Sequence, residues 1–248
     1  MNSEVTVITP AYNAGKYIEK AIQSVLGQSI PCRMIIVNDA SKDDTSTIAQ
    51  RYHKLYPDII HVIDKDVNGG VSAARNEAIQ LATTEYIAFL DADDWWSREK
   101  IELQLKMIKN LSADVCYAGR ELMKEDEEST GKIIHVPQRV DYKTLLYGNV
   151  IPCSTVVMKR DLAIKYPMSH DELHEDYIVW LSMLRDGKQF VGIDKPLLKS
   201  RIGNDGKSRN KIKSAKMTYL VYRYMGVPVY KAMYYFICYA FNGIKKYS

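Results

Sequence analysis

The chain has 248 residues, 46% hydrophobic and 26% charged, which gives one large domain a buried core and excludes a disordered or fibrous polypeptide. Its four cysteines, Cys32, Cys116, Cys153 and Cys238, lack paired spacing, so they read as reduced thiols and exclude a disulfide frame or a cysteine-ligated zinc. The net charge of +4 is uneven: no acid follows Asp205 while nine basic residues do, and the rest of the chain stands near −5, with 25 basic against 30 acidic residues.

The N-terminus enters an apolar strand within four residues and shows no basic, apolar, small-residue leader, so a cytoplasmic chain is expected. EVTVIT (4–9) is predicted as a strand and KYIEKAIQSVL (16–26) as a helix with Ile18, Ala21, Ile22 and Val25 on one face. RMIIVND (33–39) is the next strand, 44–56 a helix, IIHVID (59–64) a strand, 71–82 a helix and EYIAFLD (85–91) a strand. Val- and Ile-rich strands with little polar alternation suit a parallel sheet covered on both faces. The class is therefore α/β, a mostly parallel central sheet flanked by helices, with ligands expected at the carboxyl ends of the strands. Three of those ends are chemically loaded: TPAYN (9–13), NDASKDD (38–44) and DADD (91–94). Parallel strands finish on one edge, so the three loops should converge.

Beyond residue 97 the alternation loosens. REKIELQLKMIKNL (98–111) is predicted as an amphipathic helix with Ser97 as its N-cap. Segments 114–123 and 132–136, joined by the acidic KEDEESTG, read as a solvated hairpin, and STVVMK (154–159) as a strand. ELHEDYIVWLSMLRDG (172–187) is a helix ended by Gly187. The domain is set at 1–212, with halves at 1–96 and 97–212, followed by a helical tail at 213–248. In that tail, Pro228 to Ile244 holds only Lys231 and Asn242 as strongly polar residues, too short a run to cross a bilayer, which takes about 20 residues. Tyrosines flanked by lysines suit a membrane headgroup boundary; packing on the domain, or on a second copy in a homodimer, is the alternative.

Five strings in order, VTVITPAYNAGKYIEKAIQSVLGQS, IIVNDASKDDT, NGGVSAARNEAI, YIAFLDADDWW and HEDYIVWLSML, resemble the family 2 glycosyltransferases, over roughly residues 4 to 210. The resemblance implies the GT-A fold and an inverting transfer of a hexosyl group from a nucleotide-diphosphate sugar, UDP-linked by preference. The acceptor it implies is a saccharide or lipid-linked saccharide in surface polysaccharide synthesis, with work at the inner face of the cell membrane and no nucleic-acid partner. A polyprenyl-phosphate glycosyl synthase of the same fold and a non-catalytic sugar-nucleotide-binding membrane adaptor are the rival readings.

By the same resemblance a divalent cation, Mn²⁺ or Mg²⁺, stabilises the leaving diphosphate, with Asp93 as metal ligand and Asp91 facing metal or ribose. The crowding of these carboxylates is then relieved by the cation between them. Asp94 is either a supporting carboxylate or a helix N-terminal charge. Asp39 is expected to accept the nucleobase N–H, or else to cap a turn with Ser41; Asn38 replaces the family's first acid. Pro10, Ala11, Tyr12 and Asn13 supply backbone and a ring against the base, with simple packing the alternative for Tyr12. Arg75 faces the nucleotide or forms a structural ion pair. Asp176 is the expected base, ionised at its helix N-terminus, with Glu175 beside it. Trp180 either stacks on a sugar or belongs to the core. Where the family often carries Arg-x-His, this chain has Arg201 and Gly203, so Lys207 or Arg209 is left to neutralise phosphate, on a segment (201–211) that reads as a lid.

Overall fold

The computed structural model describes residues 3–202 and 211–247. Strands β1 (Val5–Ala11), β2 (Arg33–Asn38), β3 (Ile60–Asp64) and β4 (Tyr86–Phe89) are parallel, in spatial order β3-β2-β1-β4. Helices α1 (Ile18–Leu26), α2 (Thr45–Leu55) and α3 (Val71–Leu81) make the crossovers. Alternate strand residues enter different cores. Val7, Met34 and Ile36 pack with Ile18 and Ile22 of α1, whereas Ile8, Ile35 and Val37 pack with Ala74 and Ala78 of α3. The apolar runs of the strands follow from this two-sided burial, and Ile18, Ala21, Ile22 and Val25 are the buried face of α1.

The second half is mixed, so the sheet is uniformly parallel only across β3-β2-β1-β4. It contains β5 (Trp95–Trp96), α4 (Lys100–Leu111), β6 (Val115–Met123), β7 (Ser129–Ile134) and a short α5 (Tyr142–Leu145). A 3-10 turn at Cys153–Thr155 leads into β8 (Val157–Lys159), α6 (Arg160–Lys165), α7 (Glu175–Arg185) and β9 (Phe190–Arg201). The sheet continues β4-β8-β6-β9-β5, with β8 antiparallel to both neighbours and β6 parallel to β9. Sequence periodicity misses β9 because Gly192, Asp194 and Pro196 interrupt it; the β6–β9 register shifts at Gly119 to absorb them. Ser97 does not cap α4. Its N–H bonds the Leu197 carbonyl at 3.0 Å as β5 pairs with β9, and the helix starts at Lys100 behind Glu99 without a side-chain cap. Trp180 is core, fully buried between Phe89 and Phe190 at ring separations of 6.3 and 6.2 Å.

The tail is a helical hairpin, α8 (Lys211–Tyr224) and α9 (Val229–Tyr247). Gly226, at φ +77°, makes the left-handed turn, and Pro228 accepts the first bond of the next helix, from Ala232 N–H at 2.8 Å. Val221 and Tyr222 belong to the same core as α7, and the Tyr222 hydroxyl donates to the Leu146 carbonyl at 2.8 Å. The first helix of the tail is therefore integral to the second half of the domain.

Lys100 is fully buried with its ammonium 3.9 Å from the Trp96 ring centre and no hydrogen-bond partner. Burial drives its pKa down to about 7. A folded-state value below the ordinary 10.5 means that charging the amine costs stability as pH falls from 10.5 to about 7, after which the cost is constant. Lys100→Met is expected to raise stability by roughly 3 kcal/mol near pH 6. The gain should shrink as pH rises, which urea titrations across pH will check.

Candidate active site

The ends of β1 and β2 are stitched together. The Asp39 N–H bonds the Ala11 carbonyl at 2.8 Å, the Asn13 N–H bonds the Ser41 hydroxyl at 2.9 Å, and the Lys42 N–H bonds the Asn13 carboxamide at 2.9 Å. Asn13 and Ala40 adopt left-handed backbone, at φ 49° and 61°, a conformation that non-glycine residues keep where the surroundings enforce it. Pro10 and Ala11 are paired to Val37 and Asn38 as the last rungs of the ladder. The Tyr12 ring is 54% exposed, so packing does not account for it.

Asp39 does not cap a turn with Ser41. It accepts the N–H groups of Gly69 and Gly70, at 2.9 and 2.8 Å, and the Lys65 ammonium at 2.8 Å. Burial would raise its pKa, but these donors hold it below the ordinary value, so it stays ionised. Gly70 is required twice over: its φ is +87°, and an added Cβ would lie 2.0 Å from Asp171. Three donors leave a carboxylate one acceptor position. Asn38 has its own reason. Its amide donates to Asp64, at the end of β3, at 2.7 Å, where a second carboxylate would repel.

The DADD turn follows β4. Asp91 is the open member, its side chain 38% exposed, and its N–H bonds the Ser154 hydroxyl at 3.1 Å. Burial, then the neighbouring Asp91 charge, pushes Asp93 up to about 6. Burial, then Asp93 and Asp91, pushes Asp94 well above the ordinary range as well. Asp94 is a positioning carboxylate, buried and accepting the Arg201 N–H at 3.0 Å, so it is not a free helix charge.

Arg75 joins the two halves. Its guanidinium, 3% exposed, reaches Asp91 at 2.6 Å and Glu175 at 2.9 Å, so its fork is taken by carboxylates from residues 100 positions apart in one case. This ion-pair hub sets the N-terminus of α7 against the carboxyl end of β4. Asp176, next to Glu175, is half-buried and touches the Tyr177 N–H at 2.7 Å. It is not held ionised as the helix dipole alone would have it. Burial, then the Glu175 charge, lifts it to about 7 against the pull of Arg75. A base poised near neutrality is what proton abstraction at that pH favours.

Arg201 is engaged by the protein itself. Its fork holds the Asp93 carbonyl at 3.2 Å, the Glu125 carbonyl at 2.5 Å and the Glu127 carboxylate at 3.3 Å, between the rings of Tyr17 and Trp95. The acidic turn of the β6–β7 hairpin is thus folded back on α1, where Lys20 pairs with Glu127 at 2.8 Å, and is not simply solvated. Gly203, Lys207 and Arg209, and most of the expected lid, lie outside the described residues. Lys65, Asp171, Ser154 and Glu175 complete the site without having been singled out for these contacts; Asp171 accepts the Ser72 N–H at 3.1 Å and its hydroxyl, tying α3 to the second half. Glu175 carried a signal, its place beside Asp176, whereas the others sit among ordinary loop residues.

Among the described residues no three His, Cys, Asp or Glu side chains form a cation cage. The donors fit a hard divalent ion all the same. Asp93 is raised first by burial and then by the Asp91 charge, so Asp91 and Asp93 would hold a cation whose charge offsets both.

The profile described as "Glycosyl transferase family 2" matches residues 6–166. The chain is 39% identical over 244 residues to the putative teichuronic acid biosynthesis glycosyltransferase TuaG of Bacillus subtilis, covering 98% of this chain and 96% of that one. It is 31% identical over 248 residues to WfgD of Escherichia coli, named a UDP-Glc:alpha-D-GlcNAc-diphosphoundecaprenol beta-1,3-glucosyltransferase, with 98% and 95% covered. Among solved structures it is similar to S. aureus TarS 1-349 in complex with UDP-GlcNAc, at TM-score 0.70 and 18% identity, covering 88% of this chain and 65% of that one. It is also similar to the mannosyltransferase PcManGT of Pyrobaculum calidifontis in complex with GDP-Man and Mn2+, at TM-score 0.70 and 18% identity over 90% and 64% of the two chains. The chain spans just under two thirds of those solved chains, and at these identities the likeness shows the fold.

Proposed function

The chain belongs to glycosyl transferase family 2 and has the GT-A fold, and from that premise we propose that it is an inverting, metal-dependent hexosyltransferase. Its donor is a UDP-sugar and its acceptor a saccharide, lipid-linked as in the name of WfgD, built into a surface polysaccharide at the cytoplasmic face of the membrane. The observation that supports the reading is the Asp91–Arg75–Glu175 hub, in which one guanidinium pairs with Asp91 of the DADD turn and with Glu175, the neighbour of Asp176.

The exposed Tyr12 ring and the β1–β2 loops receive the nucleobase, and Asp39 offers its remaining acceptor position to the base N–H. Asp91 and Asp93 would hold Mn²⁺ or Mg²⁺, whose charge would stabilise a leaving diphosphate. Asp176 takes the proton from the acceptor hydroxyl as that oxygen attacks the anomeric carbon from the face opposite the diphosphate. Arg75 pairs with Glu175 at 2.9 Å and so ties the start of α7 to the Asp91 turn.

A panel of UDP-hexoses assayed with Mn²⁺ is expected to give release of UDP from one of them, abolished by Asp93→Ala. Absence of release and transfer across UDP-, GDP- and dTDP-sugars, from protein that is folded and metal-loaded, overturns the reading.

A further inference from the structure

The outward side of α9 is apolar and uncovered. Tyr230, Met233, Tyr234, Ile237 and Phe241 recur at spacings of three and four residues and are 46% to 71% exposed, so they form one stripe. The other side of the helix, with Ala232 buried and Tyr235 and Phe236 half-buried, packs on the protein. A helix apolar on both sides has a second surface to bury, and a stripe of this size on a soluble chain marks a contact site.

Charge selects the partner. On α8, Lys213, Lys216 and Arg223 share an exposed face, and after Asp205 the chain has no carboxylate side chain at all. Lys216 and Met233 line one open groove of about 530 Å³ between the two helices, floored by Tyr219 and Phe236 with ring centres 5.9 Å apart. Lys216 of the basic face thus borders Met233 of the apolar stripe across this groove. A two-fold contact with a second copy would set this cationic patch against itself. An anionic bilayer surface satisfies both features, taking aromatic and apolar groups at the headgroup boundary and cations against lipid phosphate. No helix among the described residues is long and apolar enough to cross a membrane, which leaves surface contact.

We propose that the α8–α9 hairpin seats the protein on an anionic lipid bilayer through the Tyr230–Phe241 stripe of α9 and the basic face of α8. This goes beyond the transfer reaction. The hairpin is also fastened to the loop that leads into α7. The His174 ring lies 3.1 Å from the Ser214 carbonyl and 3.2 Å from its hydroxyl, and the His170 and Tyr224 rings are 4.5 Å apart. Seating the hairpin thus brings the start of α7, with Asp176, close to the lipid boundary where a lipid-linked hydroxyl would arrive.

The test is flotation of the full-length protein with phosphatidylcholine vesicles, with and without phosphatidylglycerol. Wild type is expected to float with the anionic vesicles, less so in high salt, and to stay behind with neutral ones. Ile237→Glu with Phe241→Glu, both exposed, is expected to lower partitioning roughly a hundredfold, at about tenfold per side chain, with Tm and transfer to a water-soluble acceptor unchanged. Lys216→Glu, which leaves the Tyr230–Phe241 stripe itself intact, is expected to weaken binding to anionic vesicles alone. Equal flotation of wild type on both vesicle types, or of the double variant and wild type, overturns the proposal. So does a wild-type dimer in sedimentation that the double variant dissolves while neither floats. If flotation fails while soluble-acceptor transfer persists, only the docking falls and the enzyme reading stands.

Discussion

Asp176→Asn is expected to lower kcat about a thousandfold while leaving donor binding at the wild-type level, since the amide keeps the shape and hydrogen bonding of the side chain but accepts no proton. The wild-type rate should follow the ionised carboxylate: full above about pH 7 and falling about tenfold per pH unit beneath it, because burial and Glu175 lift Asp176 to about 7. The same variant should be the more stable protein. An acid whose folded value is raised above the ordinary 3.8 costs stability when it ionises, a cost that grows from 3.8 to about 7 and is constant beyond. Asp176→Asn should therefore gain in Tm near pH 8 and gain less toward pH 5. A variant that is inactive and destabilised would mark Asp176 as structural; one with full rate would revive an acceptor that needs no base, such as a polyprenyl phosphate.

Removing the hub is the second large effect. Arg75→Met removes the guanidinium that pairs with both buried Glu175 and Asp91. Breaking one side of a buried pair in this way costs about 3–5 kcal/mol. The loss appears as a lower urea midpoint at unchanged slope. Arg75→Met with Glu175→Gln should return part of that stability, because one buried charge is gone, yet activity should stay low, because the guanidinium link between the start of α7 and the end of β4 is lost. Arg75→Lys reaches one carboxylate at a time and should fall between the two. Full recovery of stability and rate by Arg75→Lys would show that the fork geometry is immaterial.

The first four strands and their loaded ends are legible in the sequence because the signals are local. Val- and Ile-rich runs, a carboxylate or Pro–Ala–Tyr–Asn at each strand end, and two glycines ahead of a helix all lie within a few residues of what they build. The tail is expected as one helical segment, although Gly226 followed by Pro228 is the local signal that divides it into α8 and α9. What periodicity does not carry is pairing across the chain. Nothing near Arg75 names Glu175, nothing near Asp39 says that Gly69 and Gly70 will donate to it, and Ser72 gives no hint of Asp171. The ionised Asp176 expected from the helix dipole fails for the same reason, since the deciding terms, burial and Glu175, depend on how the two halves close on each other. The Pro and Gly of strand β9 hide it from periodicity, and nothing local shows that the Arg201 fork clamps the DADD turn to the hairpin.

The fold stands or falls as a sugar-nucleotide transferase on whether three sheet ends grip one ligand through a cation. Calorimetric titration of UDP with and without Mn²⁺, on wild type, Asp93→Ala and Asp176→Asn, tests that directly. Tight binding is expected only with the metal, in wild type and in Asp176→Asn alike, and is expected to vanish in Asp93→Ala; UDP affinity indifferent to Mn²⁺ and to Asp93 would contradict it.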